Sequence, residues 1–263
     1  MIVHVEWRTR YTYSLPVQQL HSELCVVPGE RPNQRVNVST IRVQPPARLT
    51  THEDDFGNLR HTVDFLEPTD SLEVSVRAEV ETLDAPEPAL GVLPPGLYLE
   101  PSARAPFAPE LDEFVVPQGS GHLAYAWAVM AEIAERFAYE IGYTDVADTA
   151  LDLLHTGRGV CQDFSHLMLA VLRRQGISAR YVSGYLASTE GDAIATASHA
   201  WVQVLDDGAW YGFDPANNAR QDAHYVVTAV GRDYDDVPPI RGTYFGAAEE
   251  RWSTEVRIAR ASQ

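Results

Sequence analysis

The sequence predicts an α+β fold in which a small all-β sandwich is followed by helices packed on an antiparallel sheet. Residues 1–83 form short segments in which polar and apolar residues alternate, separated by turn-forming residues. A stretch rich in Pro, Ala and acidic residues follows, over 84–121. In 122–263 helical periodicity comes first and consecutive strand-type segments come second, and this segregation favours α+β over alternating βαβ units.

The first domain is predicted from five strand-like segments, HVEWRTRYTY, SELCVV, VNVSTIRV, LRHTVDF and SLEVSVRAEVET. The turns between them contain Pro-Gly, Pro-Pro and Asp-Phe-Gly-Asn, which are typical of a sandwich or barrel. Cys25 lies in the apolar run LCVV, and we expect its thiol to be buried. We expect the segment 84–121 to connect this β domain to the second domain, 122–263.

The second domain begins with two predicted helices, in HLAYAWAVMAEIAERFAYEIGY and DVADTALDLLHT, where apolar residues recur at helical spacing. A third helix begins at Cys161, directly after a glycine-containing loop, and ends at Gly176. Three strand-type segments follow it, ARYVSGYL, ASHAWVQVL and WYGFDPA. We expect the tail segments HYVVTAV and STEVRIAR to extend the same sheet.

The composition excludes several classes of partner. The net charge is −17 and the pI is 4.8, which argues against nucleic acid and against an anionic membrane surface. The N-terminal segment lacks the pattern of a signal peptide, and no segment approaches the about 20 apolar residues of a membrane helix. We therefore expect a cytoplasmic protein with two free thiols. The chain contains no lysine, and the sequence leaves open whether it forms a homo-oligomer.

Three residues have the chemistry and the predicted positions of a nucleophile, a base and an orienting group. Cys161 heads a helix, and a helix N-terminus stabilises a thiolate, as does a nearby protonated histidine. His199 lies in the strand ASHAWVQVL, on the opposite face from Ala200, Val202 and Val204. Asp214 ends the next strand, and a hairpin through 206–208 would bring it to His199.

Several motifs in the same order resemble the bacterial transglutaminase-like family, in which a papain-like core follows an N-terminal β domain. They are GVCQDFSH, LRRQGISARYVSGYL, SHAWVQV, WYGFDPANN and HYVVTAVGRDYDDVPPIRGTYFG, together with DDFGN in the first domain. The resemblance implies that Cys161 is the nucleophile, that His199 is the general base and acid, and that Asp214 holds the imidazole. The departures from the usual family residues are Ser165, Gln203 and Ala216.

Around these three residues we predict a set of substrate-binding or supporting side chains, comprising Gln162, Asp163, Trp201, Gln203 and Tyr185. We expect the loop GRDYDDVPPIRG, 231–242, to border the cleft, by the same resemblance. His166 would lie well off the face of Cys161 on the helix, and we expect it to pack structurally. Neither a Cys-x-x-Cys nor a His-x-x-x-His pair is present, so we predict no metal and no cofactor.

The sequence therefore predicts a thiol-dependent acyl-transfer enzyme that acts on peptide or carboxamide bonds of a peptide or protein substrate. Hydrolysis by a cysteine protease or amidase ranks first, because water as the acceptor needs no separate amine pocket. Transglutaminase crosslinking is the second hypothesis, and the lack of lysine is compatible with it. The third is a non-catalytic binding module on the same fold, whose sign would be a broken triad.

Overall fold

The computed structural model describes residues 1–89, 93–114, 121–143, 145–188, 193–195 and 198–260. Within them the chain forms two large antiparallel sheets and three α-helices, which confirms the predicted α+β class. No helix in this part of the chain is long and apolar enough to cross a membrane.

The helices are α1 (His122–Arg136), α2 (Ala150–Thr156) and α3 (Cys161–Arg174). Three short 3₁₀ turns lie at Pro95–Leu99, Pro109–Glu113 and Tyr234–Asp236. The strands of the described residues are β1 (Ile2–Leu24), β2 (Gln34–Gln44), β3 (Arg48–Glu53), β4 (Leu59–Phe65), β5 (Thr69–Thr82), β6 (Glu87–Pro88), β7 (Ala138–Tyr139), β8 (Arg158–Gly159), β9 (Ala179–Leu186), β10 (Ala193–Ala195), β11 (His199–Asp206), β12 (Ala209–Asp214), β13 (Ala219–Arg220), β14 (Tyr225–Gly231), β15 (Ile240–Phe245) and β16 (Glu250–Arg260).

The first sheet is organised around β1, which is one long strand where the sequence predicted two. Its first half pairs with β5 and β16, and its second half pairs with β4 and β15. The register of the β1–β5 pairing shifts between Thr12 and Val17, so the strand changes partners there. On the buried face, Val3, Val5 and Trp7 alternate with exposed residues, as period-two patterning predicts.

The second sheet has the strand order β13-β12-β11-β9-β14, with β6 paired to β12. Helix α3 packs on β11 and β9, and its buried side chains include Leu167, Met168 and Leu172. They share one core with Ala200 and Val202 of β11. These two residues lie on the face of β11 that the alternation in the sequence assigned to the interior. The core of this unit therefore fixes which way the N-terminus of α3 points.

The C-terminal strand joins a different sheet from the one expected. HYVVTAV forms β14 and pairs with β9, as predicted, but STEVRIAR lies in β16 and pairs with β1 of the first sheet. That expectation is wrong because Val256 and Ile258 complete the apolar face formed by β1, where both are buried. The chain thus leaves the first sheet and returns to it, while the predicted boundaries at 83 and 121 stay predictions.

The first sheet and its loops, called the first unit below, contact the edge strand β14 of the second sheet. Two side-chain amides of this first unit serve as hydrogen-bond partners for backbone groups of β14. Gln34 accepts from the Val227 N–H and donates to its carbonyl, both at 2.8 Å. Asn58 makes the same pair of contacts with Val230, also at 2.8 Å. These amides satisfy buried backbone groups where the β9–β14 register shifts, so they lock the two units together.

A buried ion cluster joins the units at a second point. Glu87 accepts from Arg31 at 3.1 Å and from Arg180 at 2.8 Å. Arg31 belongs to the first unit and Arg180 to β9, and all three side chains are less than a tenth exposed. The guanidinium of Arg180 also lies over the Trp210 ring, 4.3 Å from its centroid. Contacts of this kind hold one sheet in a fixed position beside the other.

Candidate active site

The start of α3 is built to present Cys161. Asp163 accepts a hydrogen bond at 2.8 Å from the backbone N–H of Val160, which fixes the turn into the helix. At Gly159 a Cβ would lie 2.7 Å from a carboxylate oxygen of Asp163, so only glycine fits there. Ser165 donates to the carbonyl of Cys161 at 2.7 Å. The thiol is partly exposed, at the end of the helix where N–H groups lack helical acceptors.

His199 and Asp214 are brought together by the hairpin that the sequence predicted. Strands β11 and β12 pair antiparallel around the turn 206–208. The Nε2 atom of His199 lies 2.7 Å from Oδ2 of Asp214. The side chain of His199 also lies close enough to Cys161 for the thiol to influence the charge of the ring. Because Nε2 is engaged by the carboxylate, Nδ1 is the ring nitrogen that faces the thiol.

The carboxylate of Asp214 is completely buried and fully engaged. Besides His199, Oδ2 accepts from the side-chain amide of Asn217 at 2.7 Å and from the Tyr225 hydroxyl at 2.9 Å. Oδ1 accepts from the backbone N–H groups of Ala216 and Asn217, at 3.1 and 3.2 Å. Burial alone would raise the pKa of Asp214, but these donors and His199 outweigh burial and lower it. Asp214 is therefore an anion with a fixed orientation.

The imidazole of His199 is held in its charged form. Burial opposes the charge, but the hydrogen bonds to Asp214 and to Cys161 outweigh burial and raise the pKa of His199 to about 10. The ring stacks on Trp201, with centroids 6.0 Å apart and planes inclined by 25°. An imidazolium thus stands between a carboxylate and a sulfur atom, an arrangement that stabilises a thiolate.

Tyr139 is a further side chain at the sulfur, and the sequence did not point to it. The expected first helix included this residue, but α1 ends at Arg136 and Tyr139 lies in β7. Parallel pairing of β7 with β8 places it opposite Gly159. Its hydroxyl lies close enough to Cys161 for the two residues to interact electrostatically. Burial and the charge of Cys161 raise the pKa of Tyr139 to about 12, so the phenol keeps its proton and is a donor at this position.

A cavity of about 320 Å³ opens beside Cys161 and His199. One wall comes from the first sheet, through Trp7 and Tyr11 of β1 and Trp252 of β16. The loop 231–242 supplies Tyr234, Pro239 and Ile240, so it borders the cleft as the sequence predicted. No single unit of the chain forms this cavity alone, because the sheet that begins at the N-terminus closes it.

Three of the five predicted supporting residues lie next to the central set. Gln162 lines the cavity, with its amide donating to the carbonyl of Val146 at 3.1 Å. Asp163 supports the loop before Cys161, as described above. Trp201 stacks on His199 and donates from its indole nitrogen to Gln221 at 2.9 Å. Trp201 and Asp163 therefore position the central residues, while Gln162 can also reach a ligand.

The structure places Gln203 and Tyr185 away from the cavity. Gln203 is buried between Arg180, which donates to it at 2.8 Å, and Gln221, to which it donates at 2.9 Å. The hydroxyl of Tyr185 donates to the Val26 carbonyl at 2.8 Å inside the core of the first unit. The physical reasons differ. Gln203 shares the face of His199, but Arg180 and Gln221 cover it there, whereas Tyr185 points to the other face of the sheet, because its neighbour Gly184 is the residue paired with His199.

His166 is buried behind the cleft and has the packing role that the sequence predicted. Its Nε2 accepts from the backbone N–H of Tyr234 at 3.2 Å, and its ring stacks on Tyr181 at 5.3 Å. Burial lowers the pKa of His166 to about 3, so the ring is neutral. Across the described residues, no group of three or more His, Cys, Asp or Glu side chains is arranged to hold a metal ion.

Known proteins match this chain along nearly its whole length. The family model described as the bacterial transglutaminase-like N-terminal region matches residues 3–81, and the model of the transglutaminase-like superfamily matches residues 113–215. An uncharacterized protein of Mycobacterium leprae, ML0607, is 31% identical, with 97% of this chain and 99% of that protein covered. The uncharacterized protein Rv2569c of Mycobacterium tuberculosis is 30% identical, with 93% and 88% covered.

A solved structure has the same fold. It is a crystal structure from Cytophaga hutchinsonii described as that of a "Putative Cysteine Protease". The TM-score is 0.78, at 22% sequence identity, and the match covers 100% of this chain and 92% of that one.

Proposed function

Because this chain belongs to the bacterial transglutaminase-like family, we propose that it is a thiol-dependent acyl-transfer enzyme that hydrolyses peptide or carboxamide bonds, with Cys161 as nucleophile. One observation carries the proposal. Cys161 lies at the N-terminus of α3 beside a His199 side chain that Asp214 holds at 2.7 Å. A helix N-terminus and an adjacent imidazolium are the two features that activate a cysteine.

In the first half of the reaction, the sulfur of Cys161 attacks the carbonyl carbon of the substrate and forms a tetrahedral intermediate. His199 then gives its Nδ1 proton to the departing amine, and the C–N bond breaks to leave a thioester. Asp214 stays ionised and keeps Nε2 protonated, so the proton that His199 donates comes from the nitrogen facing the substrate. The carboxylate thus fixes both the tautomer and the ring orientation.

In the second half, neutral His199 removes a proton from water, and the resulting hydroxide attacks the thioester carbonyl. The C–S bond breaks, the acid leaves, and the Cys161–His199 ion pair is restored. Two donors are available to the oxyanion in both halves. They are the backbone N–H of Cys161 and the hydroxyl of Tyr139, whose side chain interacts with Cys161.

Transglutaminase crosslinking is the second candidate, and the lack of lysine is compatible with it. A chain without lysine side chains offers its own acyl-enzyme intermediates no ε-amine acceptor, so it could crosslink other proteins without modifying itself through lysine. The intermediate is the same thioester, and only the acceptor differs: an amine attacks in place of water. The two reactions are therefore distinguished by products, not by the residues that form the intermediate.

The test is to assay peptide hydrolysis and amine incorporation side by side with the same purified protein. Fluorescence-quenched peptide mixtures report hydrolysis, and a fluorescent primary amine as acyl acceptor with casein as the glutamine donor reports transamidation. Wild type is compared with Cys161→Ala and with Cys25→Ala, since Cys25 is the other thiol of the chain, is buried and does not line the cavity. We expect hydrolysis that is lost in Cys161→Ala and kept in Cys25→Ala. Amine incorporation with the same dependence would favour the second candidate, and activity in Cys161→Ala would reject both.

A further inference from the structure

The cavity beside Cys161 has an aromatic wall that the chemistry of bond cleavage does not require. Trp7 and Tyr11 of β1 and Trp252 of β16 form it, and none of them contacts Asp214 or positions His199. The cavity holds about 320 Å³, at the lower end of the range of about 300–1,000 Å³ that is usual for ligand pockets. That volume suits one large side chain with its flanking main chain rather than a long stretch of polymer.

The register of the first sheet explains how this wall is formed. Tyr11 pairs with Trp252 across β1 and β16, and Thr9 pairs with Thr254, with 3.0 Å between their hydroxyls. Alternate residues of a strand share a face, so Trp7 and Tyr11 continue the apolar face that forms the core of the first unit. Exposure rises along this face, from 2% at Trp7 to 66% at Trp252. The wall therefore runs from a buried floor to an open rim.

Among the described residues that line the cavity, none is Asp, Glu or Arg. Apart from Cys161 and His199, whose opposite charges pair with each other, the polar groups are neutral and include the side chains of Gln162, Ser183, Ser198 and Thr254. Burial, helped by Glu250, raises the pKa of Tyr11 to about 12, so its phenol is neutral as well. A charged side chain that entered this space would lose water and gain no counter-charge from these groups, whereas an apolar side chain would gain contacts with the rings.

We propose that this cavity binds a large apolar side chain of the peptide substrate, aromatic or branched aliphatic, and that the aromatic wall from β1 and β16 selects it. The proposal rests on the proposed function, because it assigns the substrate class of the same cysteine. It also gives the first sheet a role in substrate choice. Burying such a side chain is expected to favour it over a polar one of similar size by about 10- to 100-fold in rate.

The test uses reagents that carry their own reactive carbon, so that it needs no knowledge of the natural substrate. One series is acetyl-aminoacyl chloromethyl ketones and the other is iodoacetyl amino-acid amides, which place the side chain on opposite sides of the sulfur. In both, the thiolate of Cys161 displaces halide and forms one C–S bond. Each series contains Phe, Leu, Gln and Arg members, and mass spectrometry gives the second-order rate constant at Cys161. Plain iodoacetamide is the reference.

In at least one series we expect the Phe and Leu reagents to react about 10- to 100-fold faster than the Gln reagent. Trp252→Ala should reduce the Phe-to-Gln rate ratio about tenfold, and Trp252→Glu should lower it further. Phe245→Ala is the matched control, because Phe245 is 71% exposed on a strand of the first unit and does not line the cavity. That variant should leave the ratio unchanged.

Two failures can be told apart. In the first, Cys161 reacts rapidly with iodoacetamide, but both series show Phe-to-Gln rate ratios near one, or the ratio is the same in Trp252→Ala and wild type. The assignment of the cavity is then overturned, while the assignment of Cys161 as the nucleophile is kept. If Cys161 reacts with iodoacetamide no faster than an ordinary thiol, the proposed function itself fails, and the assignment of the cavity fails with it.

Discussion

The buried cluster of Arg31, Glu87 and Arg180 predicts a large, specific cost when Glu87 is neutralised. Glu87→Gln keeps the size of the side chain but removes the only carboxylate that either guanidinium contacts within this cluster. The exposed fractions of the paired side chains are 9% for Arg31, 8% for Arg180 and 7% for Glu87. Water can therefore replace little of the lost interaction, so two cations would be left buried without a counter-charge.

The magnitude follows from that burial. Breaking a buried ion pair by removing one partner costs about 3–5 kcal/mol, a large part of the about 5–15 kcal/mol by which a folded domain is stable. Arg35 and Glu81 provide the matched control, because they form an ion pair of 2.7 Å with exposed fractions of 69% and 39%. Glu81→Gln should cost about 0–1 kcal/mol, since solvent screens the pair. The free energy of unfolding is measured by urea titration, followed by tryptophan fluorescence.

The pH dependence provides a second check on Glu87. Burial raises its pKa, but Arg180 and Arg31 outweigh burial and lower it below the ordinary 4.5. A depressed pKa means that the stabilisation is present above pH 4.5 and is lost as pH falls through the folded value. The difference between wild type and Glu87→Gln should therefore shrink below pH 4.5. If Glu87→Gln costs no more than Glu81→Gln near neutral pH, the reasoning about this cluster is refuted.

Three further predictions concern the site and its surroundings. Asp214→Asn places an amide among the five hydrogen-bond donors that surround the carboxylate. The value of kcat/KM for peptide hydrolysis should fall about 10³- to 10⁴-fold, with the circular dichroism spectrum retained. A loss below tenfold would contradict the orienting role of Asp214. Tyr139→Phe removes one oxyanion donor, so kcat should fall about 10²-fold with little change in KM; an unchanged kcat would reject that role. Burial lowers the pKa of His166 to about 3, so the stability that its neutral ring contributes is present above pH 6.5 and is lost as pH falls towards 3. In this window the free energy of unfolding should fall by up to about 1.4 kcal/mol per pH unit. His166→Gln should flatten this slope in urea titrations, and equal slopes in the two proteins would refute the assignment.

The sequence predicted the site best where contacts are local. His199 and Asp214 belong to one hairpin, and the turn at 206–208 is readable from composition, so their proximity follows from ordinary strand pairing. The start of α3 at Cys161 was also readable, because glycines precede an amphipathic segment. These features need no knowledge of how the two units pack.

What the sequence could not supply depends on contacts between distant segments. Tyr139 reaches Cys161 through the two-residue pairing of β7 with β8, which no periodicity reveals. Tyr185 and Gln203 were expected near the cleft, but Arg180 and Gln221 cover Gln203, and Tyr185 lies on the other face of the sheet, where its hydroxyl donates to Val26. Trp252 belongs to a tail strand whose pattern fits either sheet. The cytoplasmic location, the peptide or protein substrate and the absence of a cofactor stay predictions.

Alkylation across pH measures whether Cys161 is a nucleophile that His199 activates. Wild type, His199→Ala and Cys161→Ala are labelled with iodoacetamide between pH 4 and 9, and the adduct is located by mass. We expect rapid labelling of Cys161 well below pH 8, a marked slowing in His199→Ala and no adduct at position 161 in Cys161→Ala. Labelling at the rate of an ordinary thiol, with the same pH dependence in His199→Ala, would show that His199 does not activate Cys161.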